Sequence, residues 1–360
     1  MDIRLHFGRR LAAGAFAVGL GVLGAPVAVA APAEPTSTYL VKLRGSSELA
    51  EARSLSHGQA QRLARDPAVA YVVADTPVRA LGEQPNPPSW GLDRIDQRRL
   101  PLDHLYRFAN TADNVNAYVI DTGVRASHVD IRGRVSGGVD IVDGDNNPDD
   151  GNGHGTFIAG IIGGTQFGVA KKIHIVPVRV LDNSGAGSTA NVIAGIRWVI
   201  ANARRPAVIN MSLGGSANQA LDDAVRSAIA AGITFVVPAG SSASDAGNFS
   251  PARVREAITT AATRIDDCVF PPSNFGPLID LYAPGATITS IWATSDTATA
   301  TLSGTSFSTP HVVGGAALYL STHPAATPAQ VASALITAST KGILCNVPPN
   351  TANRLLYTGP

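Results

Sequence analysis

The sequence predicts an α/β fold, a doubly wound and mostly parallel sheet with helices on both faces, preceded by a small α+β unit. Three observations carry that expectation. From Trp90 onward, short β-branched or apolar runs alternate with Ala-rich segments of helical character, the pattern of strands joined by crossover helices. The apolar runs are continuous, as strands buried on both faces require. The 360 residues are 45% hydrophobic and 15% charged, with 36 Gly and 24 Pro in no collagen-like period, so the chain can fill a core and is dense in tight turns. A formal net charge of +1, without a long run of like charge, gives no field to gather nucleic acid or a membrane surface.

The first thirty residues carry Arg4, Arg9 and Arg10, then an apolar stretch over 11–23, then Ala28-Val29-Ala30, a small-x-small cleavage signature. The apolar stretch falls short of the about 20 residues of a membrane span and is broken by glycines, so residues 1–30 read as an export signal. The Arg9-Arg10 pair leaves the export route open. Residues 39–43 alternate like a strand, 48–63 are Ala-rich and helix-compatible, and 69–73 read as another strand, which makes 31–81 the small α+β unit. Gly82-Glu83-Gln84-Pro85-Asn86-Pro87-Pro88 cannot hold a helix or central strand and reads as a linker into the main domain, 82–360. There, strands are expected over 117–120, 173–180, 208–211 and 234–237, and helices over 155–162, 190–202, 220–231 and from Thr305. Cys268 and Cys345 remain in the exported part, either bonded or as two separate thiols.

Three segments hold candidate chemistry. Val119-Ile120-Asp121-Thr122-Gly123 ends a strand on a carboxylate at the sheet's carboxyl edge, where α/β sites form. Gly151-Asn152-Gly153-His154-Gly155-Thr156 presents a histidine between glycines at a helix start. Ser303-Gly304-Thr305-Ser306-Phe307-Ser308-Thr309-Pro310-His311 puts a serine at the start of a helix with a proline expected in its first turn. Taken singly these read as a turn aspartate, a loop histidine and a helix cap. In the chain order Asp, His, Ser they read as an acyl-transfer triad, and that order excludes the α/β-hydrolase arrangement, which places the serine first.

With these segments, the sequence from about residue 88 to the end resembles the subtilase family, in particular its proteinase K and aqualysin branch. Further matching stretches are Trp90-Gly91-Leu92-Asp93-Arg94-Ile95-Asp96, Asn210-Met211-Ser212-Leu213-Gly214-Gly215, Ser250-Pro251-Ala252-Arg253-Val254 and Ala283-Pro284-Gly285. The resemblance implies a secreted serine endopeptidase with Asp121, His154 and Ser306 as its triad, acting on polypeptides with an apolar preference. It implies that Gly185-Ala186-Gly187 and Ser212-Leu213-Gly214 flank an extended substrate, with Ala239 and Gly240 beside them, and that the Ser306 N–H donates to the oxyanion. It also implies a monomer, no membrane association in the mature form, and residues 31–81 as a short propeptide, an inhibitory partner cleaved off between Ala80 and Gln84.

The departures from the family matter too. The oxyanion-hole asparagine is replaced by Ser241, whose shorter side chain reaches the oxyanion only through water; loss of such a donor typically costs about 10²- to 10³-fold in turnover. This raises the alternative of an impaired subtilase that binds peptides or proteins. Phe157 stands for the second histidine after Gly-Thr, and Phe307 for the methionine after the nucleophile, which removes a sulfur open to peroxide. The resemblance further implies structural Ca²⁺ at Asp93, Asp96, Gln97 and Asp103, and at Asp280 with backbone oxygens of Arg255 and Ala257, an oxygen donor set suited to a hard cation. The acidic loop Asp140, Asp143, Asp145, Asp149 and Asp150 reads as solvated turn chemistry, with calcium as the alternative.

Overall fold

The structure, a computed structural model, describes residues 34–75 and 82–360; the expected export signal lies outside the described residues. The chain divides into two compact units, Met1–Val78 and Arg79–Pro360. The first holds β1 (Thr36–Leu43), β2 (Glu51–Ser56), α1 (His57–Leu63) and β3 (Val69–Ala74), with the strands in the antiparallel order β2-β1-β3. The Ala-rich stretch expected as one helix is therefore a strand and then a helix. Ser56 divides them, because its hydroxyl accepts from Gln59 N while the Gln59 side chain accepts from Ser56 N, a capping box that fixes the helix start.

The second unit begins with β4 (Gly82–Pro85), α2 (Trp90–Ile95), β5 (Leu105–Phe108), β6 (Asn116–Asp121), β7 (Val139–Asp140), α3 (His154–Gly163) and β8 (His174–Arg179). It continues with α4 (Thr189–Asn202), β9 (Ala207–Asn210), β10 (Gly215–Ser216), α5 (Gln219–Ala230), β11 (Thr234–Pro238), β12 (Phe249–Ser250), β13 (Ile258–Thr263) and β14 (Leu281–Pro284). It closes with β15 (Ile288–Ile291), β16 (Thr299–Leu302), α6 (Thr305–Thr322), α7 (Pro328–Ala338), β17 (Thr340–Lys341) and β18 (Arg354–Leu355). The expected linker is corrected in part: its first four residues form β4, which pairs antiparallel with β5 in a two-stranded ribbon. Pro85 is tolerated because such a ribbon is all edge.

Nine strands form the main sheet in the order β17-β18-β14-β13-β11-β9-β6-β8-β7, parallel throughout except β17 on β18. The strand order reverses at β6, flanked by β8 on one side and β9 on the other. Alternation along β6 shows why both faces need cover: Ala117 and Val119 join the core with α3, α6 and α7, whereas Tyr118 and Ile120 join the core with α4 and α5. A third cluster lies toward the C-terminal strands, where Cys268 and Cys345 are joined by a disulfide, resolving the alternative the sequence left open.

Candidate active site

β6 delivers Asp121 to the carboxyl edge of the sheet at the point where strand order reverses, the place where open α/β sheets form sites. Asp121 is fully buried. Its Oδ1 accepts from the Thr122 N–H at 2.8 Å and from His154 Nδ1 at 2.7 Å, whereas Oδ2 has no partner. A carboxylate at Nδ1 holds the proton there and leaves Nε2 to accept another. Burial disfavours a charged His154 ring, but the charge and hydrogen bond of Asp121, aided by the charge of Asp150, outweigh it and raise the pKa above the ordinary imidazole value.

The local sequence explains how α3 starts so close to β6. A Cβ at Gly155 would collide with the Gly123 carbonyl oxygen, so only glycine permits the approach. Asp150, buried and not solvated as its acidic loop suggested, ties the segment down. Its Oδ1 accepts from Thr122 Oγ1 at 2.8 Å, Asn152 N at 3.0 Å and Gly153 N at 2.8 Å. Its Oδ2 accepts from the N–H of Thr156 at 2.9 Å and its hydroxyl at 2.6 Å. Asp140 of the same loop is also buried, in an ion pair with Arg179, which bridges it to Asp143.

Ser306 is the second residue of α6, so its N–H is among the four that the helix itself leaves without acceptors. The proline expected in the first turn is the sixth helical residue. Having no N–H, Pro310 cannot bond the Ser306 carbonyl four residues back, and Ser212 Oγ donates to that oxygen instead at 2.8 Å. In return Ser306 Oγ donates to the Ser212 carbonyl at 3.2 Å. The Phe307 ring, one residue on, lies 5.6 Å from the His154 ring.

Two clefts meet along Leu213 and Gly214. The larger, about 810 Å³, runs from His154 between Gly185-Ala186-Gly187 and Ser212-Leu213-Gly214. Asp182 shapes the exposed Gly185 turn by donating its N–H to the Ala186 carbonyl at 2.7 Å and accepting from Ala186 N at 3.0 Å. The smaller, about 300 Å³, is lined by Gly214, Ala239, Gly240, Ser241, Phe249 and Ser306 among others. Ser241 Oγ accepts from Thr305 N at 3.2 Å and lies 3.3 Å from Thr305 Oγ1, so it caps the start of α6. Asn274 holds this loop, accepting from Ser242 N and Ser244 N and donating to the Ala239 carbonyl at 2.9 Å.

The expected metal ligands cluster only in part. Among the described residues, no three His, Cys, Asp or Glu side chains form a group able to hold a metal. Asp93 accepts from the N–H groups of Asp103 and His104, Gln97 Oε1 accepts from Asp103 N, and Asp96 Oδ2 accepts from Arg107 N. Asp96 Oδ1 is buried without a partner, and burial, with the charges of Asp103 and Asp93, pushes its carboxyl up to about 7. Asp280 Oδ2 accepts from Thr259 N at 2.9 Å, and burial pushes that carboxyl up to about 6. Arg255 and Ala257 lie just ahead of β13, whose second residue is Thr259.

Sequence reasoning missed Asp150 and Asn274 as supports. Asp150 carried a signal, an Asp followed at once by a Gly-Asn-Gly run whose free N–H groups an Asx turn would satisfy. Asn274 carried none, since its partners are distant in sequence.

A buried carboxylate bonded to a histidine that lines the larger cleft, with a serine at a helix N-terminus lining the smaller cleft that adjoins it, is the arrangement of an α/β protein carrying Asp, His and Ser in that chain order. The comparisons narrow it. Residues 113–355 match the sequence model of the subtilase family, and the chain belongs to that family of serine proteases. It is 54% identical to an extracellular serine proteinase of Thermus sp., over 82% of this chain and 72% of that protein. It is 46% identical to alkaline serine exoprotease A of Vibrio alginolyticus, over 85% of this chain and 58% of that protein's length. The crystal structure of a cold-adapted subtilisin-like serine proteinase superposes with a TM-score of 0.73 at 49% identity, covering 75% of this chain and 97% of the other.

Proposed function

We propose that the chain is an exported, self-processing serine endopeptidase of broad specificity, in which Asp121, His154 and Ser306 form the catalytic triad. The observation that carries the reading is the 2.7 Å bond from His154 Nδ1 to the buried Asp121, which fixes the tautomer of a general base. His154 Nε2 takes the proton of Ser306 as its Oγ attacks the substrate carbonyl, and returns it to the leaving amine. The N–H of Ser306 stabilises the oxyanion at the positive end of α6. Substrate lies extended between the Gly185-Ala186-Gly187 and Ser212-Leu213-Gly214 segments, pairing through its backbone. Its apolar side chain enters the smaller cleft beside Ala239 and Gly240.

In this reading residues 1–30 direct export, 31–81 act as a short propeptide, and 82–360 form the monomeric peptidase. Calcium is a structural cofactor: Asp93, Asp96, Gln97 and Asp103 would hold one ion, and Asp280 with carbonyls of Arg255 and Ala257 a second. The partnerless oxygen of Asp96 fits the first assignment, because a bound divalent cation would offset the cost of burying that carboxylate.

Ser241 favours a second reading, an impaired subtilase that binds peptides, since its hydroxyl is engaged with Thr305. A serine-directed phosphonate separates the two. Covalent labelling of the secreted, processed protein, lost in Ser306→Ala together with turnover of an apolar peptide anilide, is expected of the enzyme. A folded, processed wild type that neither labels nor turns over substrate belongs to the binder.

A further inference from the structure

Phe157 and Phe307, the two aromatic departures from the family pattern, meet in the fold. Phe157 lies three residues after His154 in α3, and Phe307 follows Ser306 in the first turn of α6. Their ring centroids are 4.8 Å apart at 60°, within the range in which aromatic pairs attract beyond simple burial. Phe157 is wholly buried and Phe307 nearly so. Behind Phe157, Trp292 stands edge-on at 6.2 Å and 78°. Trp292 also fills the space beside Gly153, where a Cβ would collide with the indole. In front, Phe307 faces the His154 imidazole at 5.6 Å, tilted by 52°. His154 is thus bounded at the preceding residue by Trp292 and at its ring by Phe307, with Phe157 between them.

A ring bonded only through Nδ1 can still tilt about that bond, and a buried ring as near as Phe307, at 5.6 Å, limits that motion. A π face also attracts a cation within about 6 Å of its centroid. Above its pKa, His154 becomes that cation on taking the proton of Ser306, so the attraction strengthens in the transition state, where it accelerates the reaction, and the same attraction raises the pKa that sets the acid limb. Leucine or methionine would fill the volume without the ring's charge distribution.

We propose that Phe157 and Phe307 are a coupled positioning pair for His154: Phe157 fixes Phe307, and Phe307 aligns the imidazole and stabilises the imidazolium formed during acyl transfer. The proposal rests on the general-base role given to His154 above. The charges that bear on His154 are Asp121 at the end of β6 and Asp150 ahead of α3. His311 of α6 donates from Nδ1 to the Phe307 carbonyl and, held by burial at about 4, stays neutral. Asp296, beyond Trp292, is paired with Arg125. His311 bonds the backbone of residue 307 and not its ring, and Asp121 and Asp150 bond other groups.

The test uses processed enzyme with active sites counted by phosphonate labelling, and kcat and KM for an apolar peptide anilide across the acid limb. The variants are Phe307→Leu, Phe307→Met, Phe307→Tyr, Phe157→His and the double Phe157→His/Phe307→Met. Phe307→Leu is expected to lower kcat about three- to tenfold with KM within about twofold, and to move the acid limb to lower pH. Phe307→Tyr restores the limb, and the double variant loses less than the product of its two single losses. An unmoved limb in Phe307→Leu, the same shift in Phe307→Tyr, or a purely multiplicative double variant overturns the proposal. If Phe307→Leu does not fold, Phe307→Met supplies the same comparison of limbs. A wild type that does not label overturns the base role of His154 and this proposal with it, whereas a labelled wild type with an unmoved limb overturns this proposal alone.

Discussion

In the proposed mechanism, Ser241 and His154 each carry a prediction that a single substitution or a change of pH can check. The Ser241 hydroxyl accepts from Thr305 N, a donor that an asparagine amide oxygen can also satisfy while its NH₂ extends toward the oxyanion. Ser241→Asn is therefore expected to raise kcat on a peptide anilide by about tenfold or more, a part of the about 10²- to 10³-fold that such a donor typically supplies. An unchanged kcat would mean that a water or the Ser241 hydroxyl already does this work. In the proposed mechanism, His154 sets the pH dependence. Its pKa is raised, and only its neutral form can accept the proton of Ser306, so kcat/KM falls as pH drops through a value above about 6.5. An acid limb centred below that value would show that Asp121 does not stabilise the imidazolium in the working enzyme.

At the scale of elements, the segment from α2 to β5 is held by polar contacts between acidic side chains and backbone. Asp93 and Asp96 lie on or just after α2, yet they accept from N–H groups of Asp103, His104 and Arg107. Chelation by EDTA is expected to lower the thermal midpoint by several degrees, and Asp96→Asn to remove much of that difference. A midpoint indifferent to EDTA would refute both calcium assignments. The long apolar strands and Ala-rich helices were legible because burial on both faces writes itself as continuous apolar sequence, as in β6, β8, β9 and β11. β2 and β4 were not, because short, solvent-facing strands owe their existence to a partner, β1 or β5, and carry little apolar pattern.

At the scale of the whole molecule, covalent and ionic links within Arg79–Pro360 join segments distant in sequence. The Cys268–Cys345 disulfide closes a 77-residue separation, and Arg94 of α2 makes a bidentate, buried ion pair with Asp267 beside it. Cys345→Ser is expected to lower unfolding stability by about 2–4 kcal/mol, measured from denaturant midpoints, because a loop of that length restricts the unfolded chain. A change under about 0.5 kcal/mol would show that the C-terminal cluster holds its geometry without the bond.

The sequence by itself determined the fold class and the segments that bear Asp121, His154 and Ser306, because parallel-strand burial and glycine-bounded turns are local patterns. Tertiary structure alone decided what supports them. Asp150 turned from a solvated loop residue into a buried acceptor of five hydrogen bonds, Ser212 took up the carbonyl that Pro310 leaves free, and Phe157 met Phe307 beside His154. Each of these depends on groups brought together from different elements, and such proximity has no period or spacing in the chain through which it could be read.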